Sequence, residues 1–315
     1  MKPPFTLVTG AAGFIGFALT KELLKRGTSV LALDCFLPDL YSSQLKQEKW
    51  DSLESELLQK LPFDLRTDNF SLLEDFEISS IINLAGMPGL SKNWSNSQVY
   101  YDCNILGLNR LLEFCRSREI KSFVHASTSS VYGKRAIGGE EQELHPTSPY
   151  GVSKLAAEKL LLAYQENYSV PIKILRYFSV YGPHQRPDMA FAKIIDSIFK
   201  AREFEIHGNG DQQRSNTYID DVVEATLLAS DRAPVGSILN ICGDELFSLQ
   251  QAISIIEEST GKGLRVKIGP RRYGDQFITF GSNDKAKFLL GWKAKINFRE
   301  GIRNQIKTYL ESRNY

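Results

Sequence analysis

The sequence predicts an α/β fold: a doubly wound parallel sheet with a smaller α+β lobe. Three features predict it. Short apolar runs alternate with helical stretches through the first half of the chain. The runs are continuous, as strands are when helices cover both faces of a sheet. Strand, helix and strand in that order also call for right-handed crossovers between parallel neighbours. A chain of 315 residues holds roughly two units of core at about 150 residues each.

The first strand is expected over Phe5 to Thr9 and the first helix over Phe14 to Arg26. Further strands are expected over Ser29 to Leu33, Ile78 to Leu84, Phe123 to Ser127 and Ile172 to Arg176. Helices are expected over Tyr100 to Arg118 and Tyr150 to Tyr168. In the first of these, Ile105, Leu108, Leu111, Leu112 and Cys115 recur at helical spacing. Past residue 177 glycine and proline punctuate more often, as in Gly182-Pro183 and Gly208-Asn209-Gly210. Helical patterns continue over Phe191 to Lys200, Asp220 to Leu228, Leu249 to Glu258 and Arg299 to Leu310. The expected division is a sheet domain of residues 1–177 with parts of 216–243, and a lobe of 178–215 and 244–315. No linker marks the boundary.

Composition excludes several classes. Apolar residues are 42% of the chain, too many for disorder. Lys plus Arg number 38 and Asp plus Glu 37, so a net charge of +1 leaves no footprint for nucleic acid or an anionic membrane. Cys35, Cys103, Cys115 and Cys242 are scattered, which argues against zinc and against a disulfide framework. His125, His145, His184 and His207 are equally dispersed, so no metal site is expected. No apolar stretch reaches about 18 residues, and the start of the chain lacks a signal-peptide run. A cytoplasmic protein is expected.

Thr9 to Gly16 reads TGAAGFIG, after a strand and at the opening of a helix. Gly10, Gly13 and Gly16 answer three needs: a tight turn, close approach of backbone to a pyrophosphate, and close packing of helix on sheet. The helix start, with Phe14 and Ile15, then offers free amides and a favourable dipole to phosphate. Asp34 closes the next strand, where an acid accepts hydrogen bonds from adenosine ribose hydroxyls and repels a 2′-phosphate. A Rossmann-type domain that binds NAD rather than NADP is therefore expected.

Tyr150 and Lys154 stand four apart, one turn apart on a helical face. Ser127-Thr128-Ser129-Ser130 closes the strand upstream, at the end of the sheet where ligands bind. Lys154 can hold the nicotinamide ribose and lower the phenol's pKa. Tyr150 can then act as base and acid near neutral pH, with Thr128 sharing the proton path.

These residues resemble the extended short-chain dehydrogenase/reductase family, specifically its nucleotide-sugar epimerases and dehydratases. The likeness covers nearly the whole chain. It runs through TGAAGFIG, Asp34, Asp64-Leu65, Asn83-Leu84-Ala85-Gly86, Asn104, Val131-Tyr132-Gly133, Tyr150 with Lys154, Arg176 to Pro183, and Asp220-Asp221-Val222. The resemblance implies that Asp64 and Leu65 meet the adenine, that Leu84 and Ala85 line the NAD channel, and that Asn104 props the active-site helix. The family usually has His and Ala where this chain has Asn83 and Gly86, Ala where it has Gly281, and a small or polar residue where it has Phe17.

Within the family the pattern is most similar to UDP-glucuronate 4-epimerases. Dehydratases and decarboxylases of the family carry an acid at the position of Ser130; UDP-galactose-type epimerases carry Asn at that of Ser179. Hydroxyls of Ser129, Ser130 and Ser179 suit a sugar carboxylate, whose burial is costly unless it is hydrogen-bonded. Arg186 could add charge. By resemblance, Arg214 and Arg272 reach the diphosphate of a UDP-sugar, and the chain forms a homodimer. The alternatives are a UDP-glucose or UDP-N-acetylglucosamine 4-epimerase, a UDP-glucuronate decarboxylase, or a nucleotide-sugar sensor that lost its activity.

Overall fold

In a computed structural model, residues 3–89, 94–271 and 273–312 are described. β1 (Phe5–Thr9) turns through glycine into α1 (Phe14–Lys25) and back to β2 (Val30–Asp34). α2 (Ser43–Asp51) leads to β3 (Leu58–Pro62), and β4 (Ile78–Asn83) follows. Next come α3 (Gln98–Tyr101), a π-helical turn (Asp102–Leu106), α4 (Gly107–Cys115) and β5 (Ser122–Thr128). β6 (Arg135–Gly138) and the long α5 (Pro149–Tyr168) precede β7 (Ile172–Tyr177). Then follow β8 (Ser179–Tyr181), α6 (Ala190–Phe199), β9 (Glu203–His207), β10 (Gln213–Tyr218), α7 (Ile219–Arg232) and β11 (Ile238–Ile241). The chain ends with β12 (Leu246–Ser248), α8 (Leu249–Thr260), β13 (Arg265–Gly269), β14 (Ile278–Gly281), α9 (Asp284–Leu290) and α10 (Phe298–Glu311).

The main sheet has seven parallel strands in the order β11-β7-β5-β4-β1-β2-β3. β2 and β7 are buried along their whole length, as continuous apolar strands require. The winding reverses between β1 and β4, so a crevice opens beyond their carboxyl ends. A second sheet runs β12-β10-β14-β6, with β8 also pairing β10. β6 comes from the first half of the chain yet pairs in parallel with β14, Arg135 opposite Ile278. Strand pairing therefore stitches the second sheet to the serine segment that follows β5.

α5 starts sharply because the Ser148 hydroxyl accepts from Gly151 N and Pro149 occupies the first turn. That start fixes Tyr150 in the opening turn, with Lys154 and Glu158 following at one-turn intervals. The helix expected over Tyr100 to Arg118 runs unbroken from Gln98 to Cys115 but is not α-helical throughout. At Asp102–Leu106 it widens into a π turn that carries Asn104 inward. Asn104 Nδ2 donates to Met87 O at 3.1 Å and to Ser153 Oγ at 2.9 Å, while its Oδ1 accepts Met87 N at 2.8 Å. Those bonds tie the loop after β4 to α5, a use to which π turns are often put.

Candidate active site

The glycine turn is as tight as its residue types allow. Gly10 has φ +71°, and a Cβ there would lie 2.9 Å from Ala85 N, on the neighbouring strand's exit. A Cβ on Gly16 would lie 2.0 Å from Gly10 O, and one on Gly13 3.0 Å from it. Asp34 is held by two backbone amides: Ala12 N donates to Oδ2 at 2.9 Å and Phe36 N to Oδ1 at 2.8 Å. Each oxygen keeps a lone pair for a further donor. Asp64 forms a bidentate pair with Arg66, which holds its carboxyl below the usual range.

A cavity of about 480 Å³ lies over the switch point. Gly10, Gly13, Phe14, Ile15, Gly16, Asp34, Asp64, Leu65, Leu84 and Ala85 line it at one end. Thr128, Ser129, Ser130, Tyr150, Lys154, Ser179, Arg186 and Arg214 line the same cavity. The expected site residues thus meet in one space, except Arg272, which lies outside the described residues. The cradle of three glycines that a Cβ would fill, with a buried acid beside it, fits a dinucleotide.

Tyr150 is half-buried, with its ring 5.8 Å from that of Tyr100. Burial pushes its phenol up, against a hydrogen bond with Thr128 and the charge of Arg186, which pull it down. Thr128 Oγ1 also accepts from Ser130 N at 3.1 Å and donates to Ser130 Oγ at 3.3 Å. Gln276 holds the serine segment from the second sheet, donating to Ser129 O at 3.2 Å and Gly133 O at 2.6 Å. The Ser129 hydroxyl stands 3.5 Å from Gln276 Oε1. Arg186 is paired with Asp188 through two 3.0 Å bonds. Arg214 donates to the carbonyls of Gln213, Gln276 and Phe277, and burial lowers its guanidinium to about 10. It stands where this cavity meets a second, larger one of about 1040 Å³, lined by residues of α1, α2 and α6 among others, as do Tyr41 and Ser179.

Some partners escape a reading of the sequence. Lys154 is buried, and its Nζ lies 2.9 Å from Nε2 of His125. His125 Nδ1 lies 3.0 Å from Asn83 Nδ2, and Thr9 Oγ1 donates to Asn83 Oδ1 at 2.5 Å. Burial lowers the Lys154 amine to about 8, opposed by the carboxylate of Glu158. Three departures from the family pattern have spatial reasons. A Cβ on Gly86 would come within 2.7 Å of Asn104 Oδ1, and one on Gly281 within 2.3 Å of the Phe178 ring. Phe17 packs edge-on against His184 at 5.2 Å.

Comparisons with known proteins agree with this geometry. The NAD dependent epimerase/dehydratase family matches residues 6–242. A Bacillus subtilis (strain 168) protein described as an uncharacterized UDP-glucose epimerase is 40% identical over 97% of this chain and 98% of its own length. A UDP-glucuronate 4-epimerase of Thermodesulfobacterium geofontis (strain OPF15) is 36% identical over 96% of this chain and 95% of its own. The crystal structure of UDP-glucuronic acid 4-epimerase from Bacillus cereus, in complex with UDP-glucuronic acid and NAD, superposes with a TM-score of 0.93. It is 35% identical, over 99% of this chain and 100% of that one. Among the described residues no helix is long and apolar enough to cross a membrane.

Proposed function

The chain belongs to the NAD-dependent epimerase/dehydratase family, and from that premise we propose that it interconverts UDP-glucuronate and UDP-galacturonate. When bound, held by the glycine turn and Asp34, NAD would supply a hydride acceptor and donor for sugar carbon 4, so that either face of that carbon could be reduced in turn. The chain's own residues do the rest. Tyr150, as phenolate, removes the proton from the 4-hydroxyl and later restores it. Thr128 donates to the phenolate, which lowers the cost of holding that charge in a half-buried site. Lys154 holds the ribose and contributes positive charge. Asp34 receives the adenosine ribose hydroxyls, and the glycine turn receives the pyrophosphate. The 4-keto sugar turns over within a cavity that holds both faces to one partner in succession, and that pre-positioning is the protein's largest contribution.

One observation carries the sugar assignment: the residues beside Thr128 and Tyr150 are hydroxyls, with no carboxylate at 130 or 179. Ser129, Ser130 and Ser179 are proposed to solvate the sugar carboxylate. A 4-keto uronate is a β-keto acid and loses carbon dioxide when the breaking bond aligns with the carbonyl. Short, fixed donors hold the carboxylate out of that alignment. Arg214, already anchored at the junction of the two cavities, is proposed to meet the diphosphate together with Arg272, and Arg186 to add positive charge near the sugar. The larger cavity is proposed to take the uridine. We also propose a cytoplasmic homodimer. Tyr101, Leu106, Val152 and Tyr168 leave apolar surface exposed on the π turn and the helices around it, which supports pairing through that face.

The direct test is incubation with UDP-glucuronate, followed by NMR of the sugar protons. UDP-galacturonate is the expected product, and released carbon dioxide would mean a decarboxylase instead. The Bacillus subtilis relative favours a second reading, a neutral UDP-glucose substrate. Turnover of UDP-glucose without turnover of UDP-glucuronate would establish it. Ser130→Glu separates the readings further. Placing a carboxylate against the uronate costs at least ~1.4 kcal/mol, or about tenfold in affinity. Titration with UDP-glucuronate should show that loss while UDP-glucose binding changes little. Equal effects on both sugars would count against the carboxylate pocket.

A further inference from the structure

Lys154 ends a hydrogen-bonded chain that crosses the carboxyl end of the main sheet from β1 to α5. Ala85 N donates to Thr9 Oγ1 at 3.1 Å, and Thr9 donates to Asn83 Oδ1 at 2.5 Å. Asn83 Nδ2 faces His125 Nδ1 at 3.0 Å, and His125 Nε2 faces Lys154 Nζ at 2.9 Å. Thr9, Asn83, His125 and Lys154 are all buried.

A neutral imidazole has one nitrogen that donates and one that accepts. An ammonium has only donors. The chain can therefore be ordered in two self-consistent ways. With Lys154 charged, Nζ donates to Nε2, Nδ1–H donates to Asn83 Oδ1, and the amide nitrogen donates to Thr9 Oγ1. With Lys154 neutral, Thr9 donates to Oδ1, the amide donates to Nδ1, and Nε2–H donates to the amine lone pair. One half-turn of the Asn83 amide and one change of tautomer separate the two orders. Neither needs an imidazolium.

We propose that His125 is a positioning residue for Lys154: its neutral ring accepts from the ammonium and donates to the amine, so the lysine stays in place in both charge states. The inference rests on the reading of Tyr150 and Lys154 as the catalytic pair. The charges around the site suit it. Burial and the Lys154 charge keep the ring neutral, well below the ordinary histidine value. From α5, Glu158 faces Lys154, and its carboxylate is itself paired with Arg176 of β7. From β4 and β1 come the neutral Asn83 and Thr9. The amine at about 8 visits both forms near neutral pH. Without the ring, the amine would lose the hydrogen-bond partner at 2.9 Å that suits both of its charge states.

Ring ¹⁵N NMR of the histidines tests this without turnover. In NAD-loaded protein His125 should stay neutral and pass from the Nδ1–H to the Nε2–H tautomer as pH rises through the lysine's titration. In Lys154→Met the ring should keep one tautomer at every pH. A single tautomer throughout in the wild type, or a His125 imidazolium, overturns the proposal. Kinetics supply a second arm. His125→Phe should lower kcat for UDP-glucuronate roughly tenfold to a hundredfold with KM within about threefold, since small misplacements cost that much. It should also make the pH profile steeper around the lysine's titration. His125→Gln, whose amide can present either an oxygen or an N–H, should recover most of both. An unchanged profile in His125→Phe contradicts the proposal. A wild type that binds NAD and shows the tautomer change but turns over no UDP-glucuronate sinks the substrate reading instead, and leaves His125 as assigned.

Discussion

Tyr150→Phe is expected to lower kcat about a thousandfold while leaving NAD content and KM for the UDP-sugar nearly unchanged. The reasoning begins at the backbone. Ser148 caps α5 and Pro149 starts it, so the ring of residue 150 is fixed with or without its oxygen. Its packing against Tyr100 at 5.8 Å also survives. Only the group proposed to exchange a proton with the 4-hydroxyl is removed, and positioned acid–base groups contribute roughly 10²- to 10⁴-fold. Wild-type turnover should rise with pH on its acid side if the phenolate is the active form, as proposed, since burial pushes the phenol up. Thr128 and Arg186 act in the other direction, so Thr128→Val should move that limb to higher pH. Rates of epimer formation by NMR across pH, for wild type and both variants, decide the point. A Tyr150→Phe enzyme within tenfold of the wild type would remove the phenol from the reaction.

Much of this site is legible in the sequence because its parts are local. A glycine triplet between a strand and a helix, an acid at the next strand's end, and two residues one helical turn apart each signal themselves within a short window. What the sequence hides is what the sheet brings together. Thr9, Asn83, His125 and Lys154 come from four separate elements, the first pair 74 positions apart in sequence, the second 42 and the third 29. A dispersed histidine reads as unremarked core until β4 and β5 are laid side by side. The π turn at Asp102–Leu106 is hidden for a different reason. Ile105 and Leu108 keep an apolar spacing that a regular helix also satisfies, and only the bonds made by Asn104 show the widening. β3 and α2 escape because they are poor in apolar residues. β3 is an edge strand with mixed exposure, and α2 buries Trp50 alone. The glycines at 86 and 281 look like losses in a linear motif. In space each makes room for a specific neighbour, Asn104 and Phe178.

The largest stability effect is expected behind the site. Arg176 and Glu158 are each 2% exposed at the side chain and make a bidentate pair at 3.0 and 2.7 Å. Ser127 donates to the same carboxylate, and Arg176 also donates to Tyr132 O–H at 2.8 Å and to Glu140 O at 3.1 Å. Removing one member of such a pair leaves the other charge buried and uncompensated. Arg176→Leu should therefore cost about 3–5 kcal/mol. In a chain of this length that lowers the melting temperature by about five to eight degrees. Removing both charges together, in Arg176→Leu/Glu158→Leu, should cost less than the single change, because no lone ion remains. Thermal unfolding of the two variants beside Glu158→Leu gives the coupling between them. A double variant no more stable than Arg176→Leu would mean that packing, not charge, holds the pair. The same series reaches the reaction. Glu158 raises the Lys154 amine against the effect of burial, and in Arg176→Leu that carboxylate is no longer offset by its guanidinium. The lysine should then hold its proton to higher pH, whereas in Glu158→Leu it should lose it at lower pH. Opposite shifts of one kinetic limb, from two changes made behind the active site, are the result expected if the buried pair sets the charge on Lys154.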